Sequence, residues 1–467
     1  MITKRFKKSQ RKISAIKPTT ESISGRAGIL FFKKYIENIE LRPHINRLFG
    51  KLRKSKKGKP IFSIFSQMFS FFLDGTSRHI AYFDQLKKDE GYAGMLELPL
   101  TELCSSHAIK RFFQSFSFVM VYKFRLLLQR LFLWQLAKEK PDIIILDMDS
   151  MVLDNNDAKM RQGVSWTYKK VNGFHPFHIS WNGYIIDTVF RGGKKHSNNG
   201  NTAKKAVTHI VKAIRKKYDP DVPIIITSDS GFYDKKLFRH FEELEIFYVC
   251  TGKIYKDIAK RIQSFSKKDF FLFKKKGPNQ NAAWLCIDFR DKRGVWKKSR
   301  RVVFTSPCIQ GTQGFLYPGK KDRLYYTNLE DDCPYIDKLL AAGGSRYLSR
   351  EGIVQLAHGR GVSELTHRHL KNFGFEKLPF LRFNANAAFY YMMLVSFFLY
   401  ESYKYDCLHG IVTLSCYAST LRRHLIDFAG KIVNHSGKLI LKIPEAVYDR
   451  LNLCRVWSLV HSPPIIS

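Results

Sequence analysis

Three acidic positions carry the chemistry this 467-residue chain could perform. Asp149, with Asp147 two residues before it, ends the apolar run "IIILDMDSM" (143–151). Asp229 ends "IIITSD" (224–229), and Glu364 lies in "GRGVSELTHRHLK" (359–371). In a strand, positions 147 and 149 point to the same face. Singly, each acid has an ordinary reading: a strand-end Asp caps a turn, and a Glu in the first turn of a helix complements its dipole. Gathered at one sheet edge they would repel unless hard divalent cations lay between them, and Mg²⁺ or Mn²⁺ takes oxygen ligands. Two such ions roughly 3.5–4 Å apart clamp the attacking and leaving oxygens of a phosphoryl transfer.

The rest of the chain is opposite in charge. Lys and Arg number 79 against 40 acids, a formal net charge of +39. Such a surface calls for a polyanion, and nucleic acid is the first to consider. Residues 1–60 hold 18 of these cations and three Glu, which reads either as a solvated tail or as an arm along a duplex. The eight cysteines form no C-x-x-C pair, which argues against a zinc ribbon or disulfide framework and suits a reducing cytoplasm. No apolar segment follows the basic start as a signal peptide would require. The apolar run 383–400 contains Asn384 and Asn386 and reads as a buried helix, so no membrane association is expected.

The elements that must position the acids follow from periodicity. Residues 61–138 have helical spacing with Ser105 or Ser106 as an N-cap, and Lys110 and Arg111 stud this region as candidate contacts to a DNA backbone. From 141 short β runs begin, and Asn182-Gly183 marks a hairpin. A helix is expected over 201–218, then a buried strand over 222–232. Three antiparallel strands, a helix and a central strand is the order of the ribonuclease-H-like fold. The expected class is therefore α/β, a mixed sheet flanked by helices. Four segments result: a basic, mainly helical DNA-binding region (1–138), the first part of the catalytic core (139–244), a β-rich insertion (245–345), and the second part of the core with the C-terminal region (346–467).

The motifs "LDMDSM" (146–151), "SDSGF" (228–232) and "RGVSELTHRHLK" (360–371) resemble those of bacterial insertion-sequence transposases of the DDE class, close to insertion-sequence family thirteen-eighty. In that family they read L-D-x-D-S-T, R-x-D-S-G-F and R-G-x-x-E. The last belongs to the wider signature Y-x2-R-x3-E-x6-K, which Arg360, Glu364 and Lys371 match in spacing. Ala357 stands at the tyrosine position and Met151 at the threonine position. The resemblance covers roughly 140–460, including "GYIIDTVFRGGKKHSNNGN" (183–201) and "FNANAAFYY" (383–391).

The resemblance implies cut-and-paste transposition with two Mg²⁺ (or Mn²⁺) ions. Asp149, Asp229 and Glu364 would be the catalytic ligands, with Asp147 beside them, and Arg360 and Lys371 would contact phosphates. Trp284 and Trp296, in the insertion, are candidates to stack on a flipped base, against the plainer reading of packing residues. His367 and His369 read as phosphate neighbours or packing residues, and "HPFH" (175–178) as a strand with satisfied histidines. The implied partners are double-stranded DNA of the element ends and target, and a second copy in a synaptic homodimer. The implied location is the cytoplasm, on the nucleoid. Another ribonuclease-H-like nuclease, or an inactive transposon-derived DNA-binding protein, would share much of this pattern.

Overall fold

The structure is a computed structural model that describes residues 13, 15–53, 58–274, 283–294, 296–308 and 322–466. The basic residues of 1–12 and 54–57, read above as part of a tail or arm, lie outside that set.

Nine strands build the main sheet. In chain order they are β1 (Ile144–Ser150), β2 (Phe177–Trp181), β3 (Tyr184–Val189), β4 (Ile224–Ser228), β5 (Phe247–Thr251), β6 (Phe271–Lys274), β7 (Ala283–Asp291), β8 (Arg300–Pro307) and β9 (Arg323–Thr327). Across the sheet they run β6-β7-β8-β9-β5-β4-β1-β2-β3. β1, β4 and β5 are mutually parallel, and β2 and β3 are antiparallel to their neighbours. The expected hairpin joins β2 to β3. Asn182 and Gly183 take φ of 45° and 83°, the positive pair that a tight turn between twisted strands needs. The segment expected as a β-rich insertion supplies β5 and then four antiparallel strands, and β9 pairs with β5 so that they prolong the same sheet.

The helices needed here are α1 (Ile61–Asp74), α2 (Ser106–Gln114), α3 (Phe118–Glu139), α4 (Thr202–Lys217), α5 (Arg350–Gly359), α6 (Gly361–Phe373) and α7 (Phe383–Cys407). β4 is buried along its whole length because both its faces are covered. Ile225 joins a cluster with Ile353 and Val354 of α5, while Ile224 and Ile226 join the larger core shared by α4 and α7. A strand covered twice reads as a continuous apolar run, which is what "IIIT" is.

The N-terminal helices share that larger core. Phe72 of α1 and Phe113 of α2 each stand 5.3 Å from Phe389 of α7, ring centre to ring centre, and Phe124 of α3 stacks at 5.8 Å on Tyr391. The asparagine inside the α7 apolar run is satisfied locally. Asn386 Oδ1 accepts from Phe380 N (2.8 Å) and its Nδ2 donates to Phe380 O (2.6 Å). Among the described residues no helix is long and apolar enough to cross a membrane.

One ion pair ties α3 to the sheet. Arg125 Nε and Nη2 donate to the two carboxylate oxygens of Asp187 on β3, which has no solvent exposure. Removing the arginine strands a buried carboxylate, so Arg125→Met is expected to cost about 3–5 kcal/mol in urea unfolding. Arg125→Met with Asp187→Leu should recover most of that loss. A single variant as stable as the parent would show that the pair does not clamp the helix.

Candidate active site

β1 and β4 are parallel neighbours in the middle of the sheet, so their chain directions bring both C-terminal ends to one edge. The register pairs Met148 with Ser228, which sets Asp149 and Asp229 side by side just beyond. Asp147, two residues back on the same face, completes a group of three. Opposite them, Arg360 sits at the junction of α5 and α6 with helical dihedrals (φ −56°, ψ −18°) and reaches into the group.

Asp147 is buried. Its Oδ1 accepts from Thr227 Oγ1 (2.6 Å) and Arg360 Nε (2.7 Å), while its Oδ2 is buried with no hydrogen-bond partner. Asp149 Oδ1 accepts from Ser150 N (2.7 Å), and its Oδ2 lies 3.7 Å from His367 Nδ1. Burial pushes the Asp149 carboxyl up to about 7, with Asp147 and Asp229 adding to the shift and Arg360 opposing it. Asp229 caps the short turn that follows β4, accepting from Gly231 N (2.9 Å), and burial raises it too. Burial alone would disfavour the charge on Arg360, but Asp147, Asp149 and Asp229 together outweigh it and hold the guanidinium firmly protonated.

Three carboxyls therefore face one arginine. With all three ionised the site carries two negative charges in excess, which adds to the burial that raises Asp149. The donor set is oxygen only and includes an orphaned buried Asp147 Oδ2, which suits a hard divalent cation. Among the described residues no three His, Cys, Asp or Glu are placed so that they could hold a metal ion as they stand. Arg360 now holds the middle.

Beneath Asp149 runs a chain that the sequence reading did not assemble. His367 Nε2 and His178 Nδ1 are 2.9 Å apart, and His178 Nε2 is 2.7 Å from the Tyr390 hydroxyl. Burial, with Lys371, Lys169 and Arg360 nearby, lowers His367 to about 4, and burial with His367 lowers His178 far below its ordinary value. Both rings are neutral at pH 7, so His367 is a polar neighbour of Asp149 and not its ion-pair partner. His175 hydrogen-bonds Lys195 O (2.6 Å) and Ser150 Oγ (2.9 Å), which satisfies both histidines of "HPFH". The residue types gave a signal, but the pairing of His178 with His367 spans 189 positions and needed the fold.

The other sequence candidates fall outside this cluster. Glu364 is exposed in the first turn of α6, while His367, three residues on, is the one that faces Asp149. Lys371 Nζ donates to Glu376 Oε2 (2.8 Å). Lys110 and Arg111 are exposed on α2, whose N-cap Ser105 accepts from Ala108 N (3.2 Å). Trp296 is only 7% exposed, packed against Arg300, Tyr326 and Tyr233. Trp284 lies 4.4 Å from the His358 ring, centre to centre, and against Phe273. Packing occupies both tryptophans.

Helices on both faces of a mixed sheet, with clustered carboxyls at the shared ends of parallel strands, define an α/β protein with an acidic group at one sheet edge. Residues 6–461 match the family described as transposase DDE domain group 1, and the chain belongs to that family. No curated protein matches it. Among solved structures, a piggyBac transposase synaptic complex with hairpin DNA aligns over 94% of this chain and 82% of that chain, at 11% identity and a TM-score of 0.36. A superposition that loose carries no argument here.

The raised Asp149 carboxyl makes a signed prediction. Its folded value of about 7 lies above the ordinary aspartate range near 4, so the native state holds a proton that the unfolded chain has released. Stability of the metal-free protein then falls as pH rises from about 4 to about 7 and is level above. Asp149→Asn mimics the protonated form. It should raise the melting midpoint by a few degrees at pH 8 and much less at pH 4.5, read by differential scanning fluorimetry. A lower midpoint at pH 8 would contradict the burial argument.

Proposed function

We propose that this protein is a DNA transposase of the bacterial insertion-sequence type, of family thirteen-eighty character, which cuts and rejoins strands at the ends of its element. The observation that carries the reading is the convergence of Asp147, Asp149 and Asp229 on Arg360 at one strand-end edge, in a chain of the DDE family. A ribonuclease-H-like core is part of the proposal. Its support is the strand order β3-β2-β1-β4-β5, three antiparallel strands followed by two parallel to the first. In this reading 139–244, β5 and 346–467 form the core, the rest of the expected insertion 245–345 prolongs its sheet, and 1–138 is the main DNA-binding region.

Asp149, Asp229 and Glu364 would hold two Mg²⁺ or Mn²⁺ ions, with Asp147 adjoining through its free Oδ2. Bound there, divalent cations would neutralise phosphate charge and activate the attacking water or 3′-hydroxyl. The chain's own residues do the rest. A DNA phosphate would compete with the carboxylates for Arg360, since a guanidinium can bond either one bidentately. Arg360 turning outward would clear the centre of the site. Glu364 lies three residues before His367, about 4.5 Å along the helix, so a short readjustment of the start of α6 would bring it over the aspartates. Lys371, two turns beyond Glu364, extends the phosphate track. His367, neutral and hydrogen-bonded to His178, which in turn bonds Tyr390, lies beside Asp149 without neutralising it. The net charge of +39 supplies the affinity for duplex DNA, and two copies would pair the element ends.

Two measurements test this reading. Asp229→Ala should lose strand cleavage of the flanking repeat DNA by more than the 10–100-fold typical of an outer-sphere partner, while duplex affinity changes little. Parallel loss of binding and cleavage would remove Asp229 from the metal-holding role. Duplex affinity should also fall by about 10³-fold or more between 50 and 200 mM salt, as for a protein neutralising six or more phosphates. A flat salt response would deny the polyanion partner.

A further inference from the structure

Immediately after β1 the chain leaves the main sheet and builds a second, three-stranded one from Leu153–Asp154, Ser165–Trp166 and Asn172–Phe174. The middle of this small sheet is held by close backbone approach. A Cβ on Gly173 would stand 2.0 Å from Leu153 O, and one on Gly193 would stand 2.2 Å from Ser165 O, so both positions exclude a side chain. Its tip is closed by Thr167 N and Oγ1, which donate to Val171 O (2.9 and 2.8 Å), and by Lys170 N, which donates to Thr167 O (3.0 Å). The hairpin is a firm arm.

Two large aromatics stand out from it. Trp166 is 58% exposed and Tyr168 64% exposed. Trp166 makes no ring or cation contact among the described residues. The Tyr168 ring lies 5.2 Å from that of His175, whose Nε2 bonds Ser150 Oγ next to Asp149. Burial raises the Tyr168 hydroxyl, with Asp149 and Asp229 adding to the shift, in keeping with its place against His175. Lys169, Lys170, Lys194 and Lys195 are all exposed around the arm, and Lys194 N donates to Ser165 Oγ at its base (2.8 Å). Exposed flat rings framed by cations beside a carboxylate site match the chemistry of an unpaired nucleobase and its backbone, since bases stack on aromatics while lysines hold the phosphates.

We propose that Trp166 and Tyr168 form a stacking platform for an unpaired nucleobase at the DNA end whose reacting phosphate lies over Asp149 and Asp229. The assignment rests on the transposase reading above. It places base stacking on the arm beside β1, where Trp166 and Tyr168 are exposed, and not on Trp284 or Trp296, which pack against neighbouring rings. A single stacked base adds a contact that a fully paired duplex cannot make, which gives the protein a preference for frayed or cleaved ends.

The test uses the full chain with two DNA duplexes of equal length. One is blunt, and the other carries a three-nucleotide single-stranded overhang bearing 2-aminopurine. The wild type is expected to bind the overhang duplex about tenfold more tightly than the blunt one and to quench the 2-aminopurine emission. Trp166→Ala and Tyr168→Ala should lose most of the preference and the quenching while keeping the affinity for blunt duplex, and Trp166→Phe should keep part of both. A wild type without overhang preference, or a Trp166→Ala variant that keeps both preference and quenching, would overturn the platform and leave the transposase reading standing. A wild type that binds neither duplex would overturn both.

Discussion

The structure turns on the unequal charge balance between three buried carboxyls and one arginine. Asp147 and Asp149 come from one strand, Asp229 from its parallel neighbour, and Arg360 from the helix junction opposite. Parallel pairing makes the two strand ends coincide, and coincidence forces like charges into a space that burial has stripped of water. One guanidinium cannot balance three carboxylates. Burial, with Asp147 and Asp229 adding to it, lifts the Asp149 carboxyl to about 7, and Asp147 Oδ2 has no hydrogen-bond partner. A site in that state has an affinity for positive charge built into it.

The surrounding scaffold keeps the imbalance in place. β1 and β4 are fixed by apolar packing on both faces, so the ends cannot splay. Several polar groups that enter the core are answered by partners: Asp187 by Arg125, Asn386 by the Phe380 backbone, His178 by Tyr390 and His367. An unanswered polar atom in the core is costly. The bare Asp147 Oδ2 is one of several buried atoms that carry that cost, and it is the one that lies beside the raised Asp149 carboxyl.

Around this acidic point lies a surface of the opposite sign. The net charge of +39 draws a polyanion from any direction, whereas the carboxyls repel its phosphates unless cations intervene. The arm bearing Trp166 and Tyr168 stands where the basic surface meets the carboxyls, with lysines on one side and Asp149 and Asp229 on the other.

Much of this was legible in the sequence. The run 143–151, the pair Asn182-Gly183 and the run 224–229 declare strands and a tight turn through apolar patterning and positive-φ chemistry, which are local properties. Asp149 and Asp229 were legible as strand-end acids, and their adjacency followed once the two strands were taken as neighbours. The position of Glu364 was not legible, because spacing along a helix says nothing of how the helix is rotated against a sheet. In the fold His367 faces Asp149 while Glu364 is exposed. Arg360 among the carboxylates, the His367–His178–Tyr390 chain, the packing of Trp284 and Trp296 and the exposure of Trp166 and Tyr168 all depend on contacts between distant segments. Sequence determined which groups exist and which local backbone they sit on. Only tertiary packing decided which became neighbours, because desolvation and charge pairing act through space between residues that the chain itself keeps far apart.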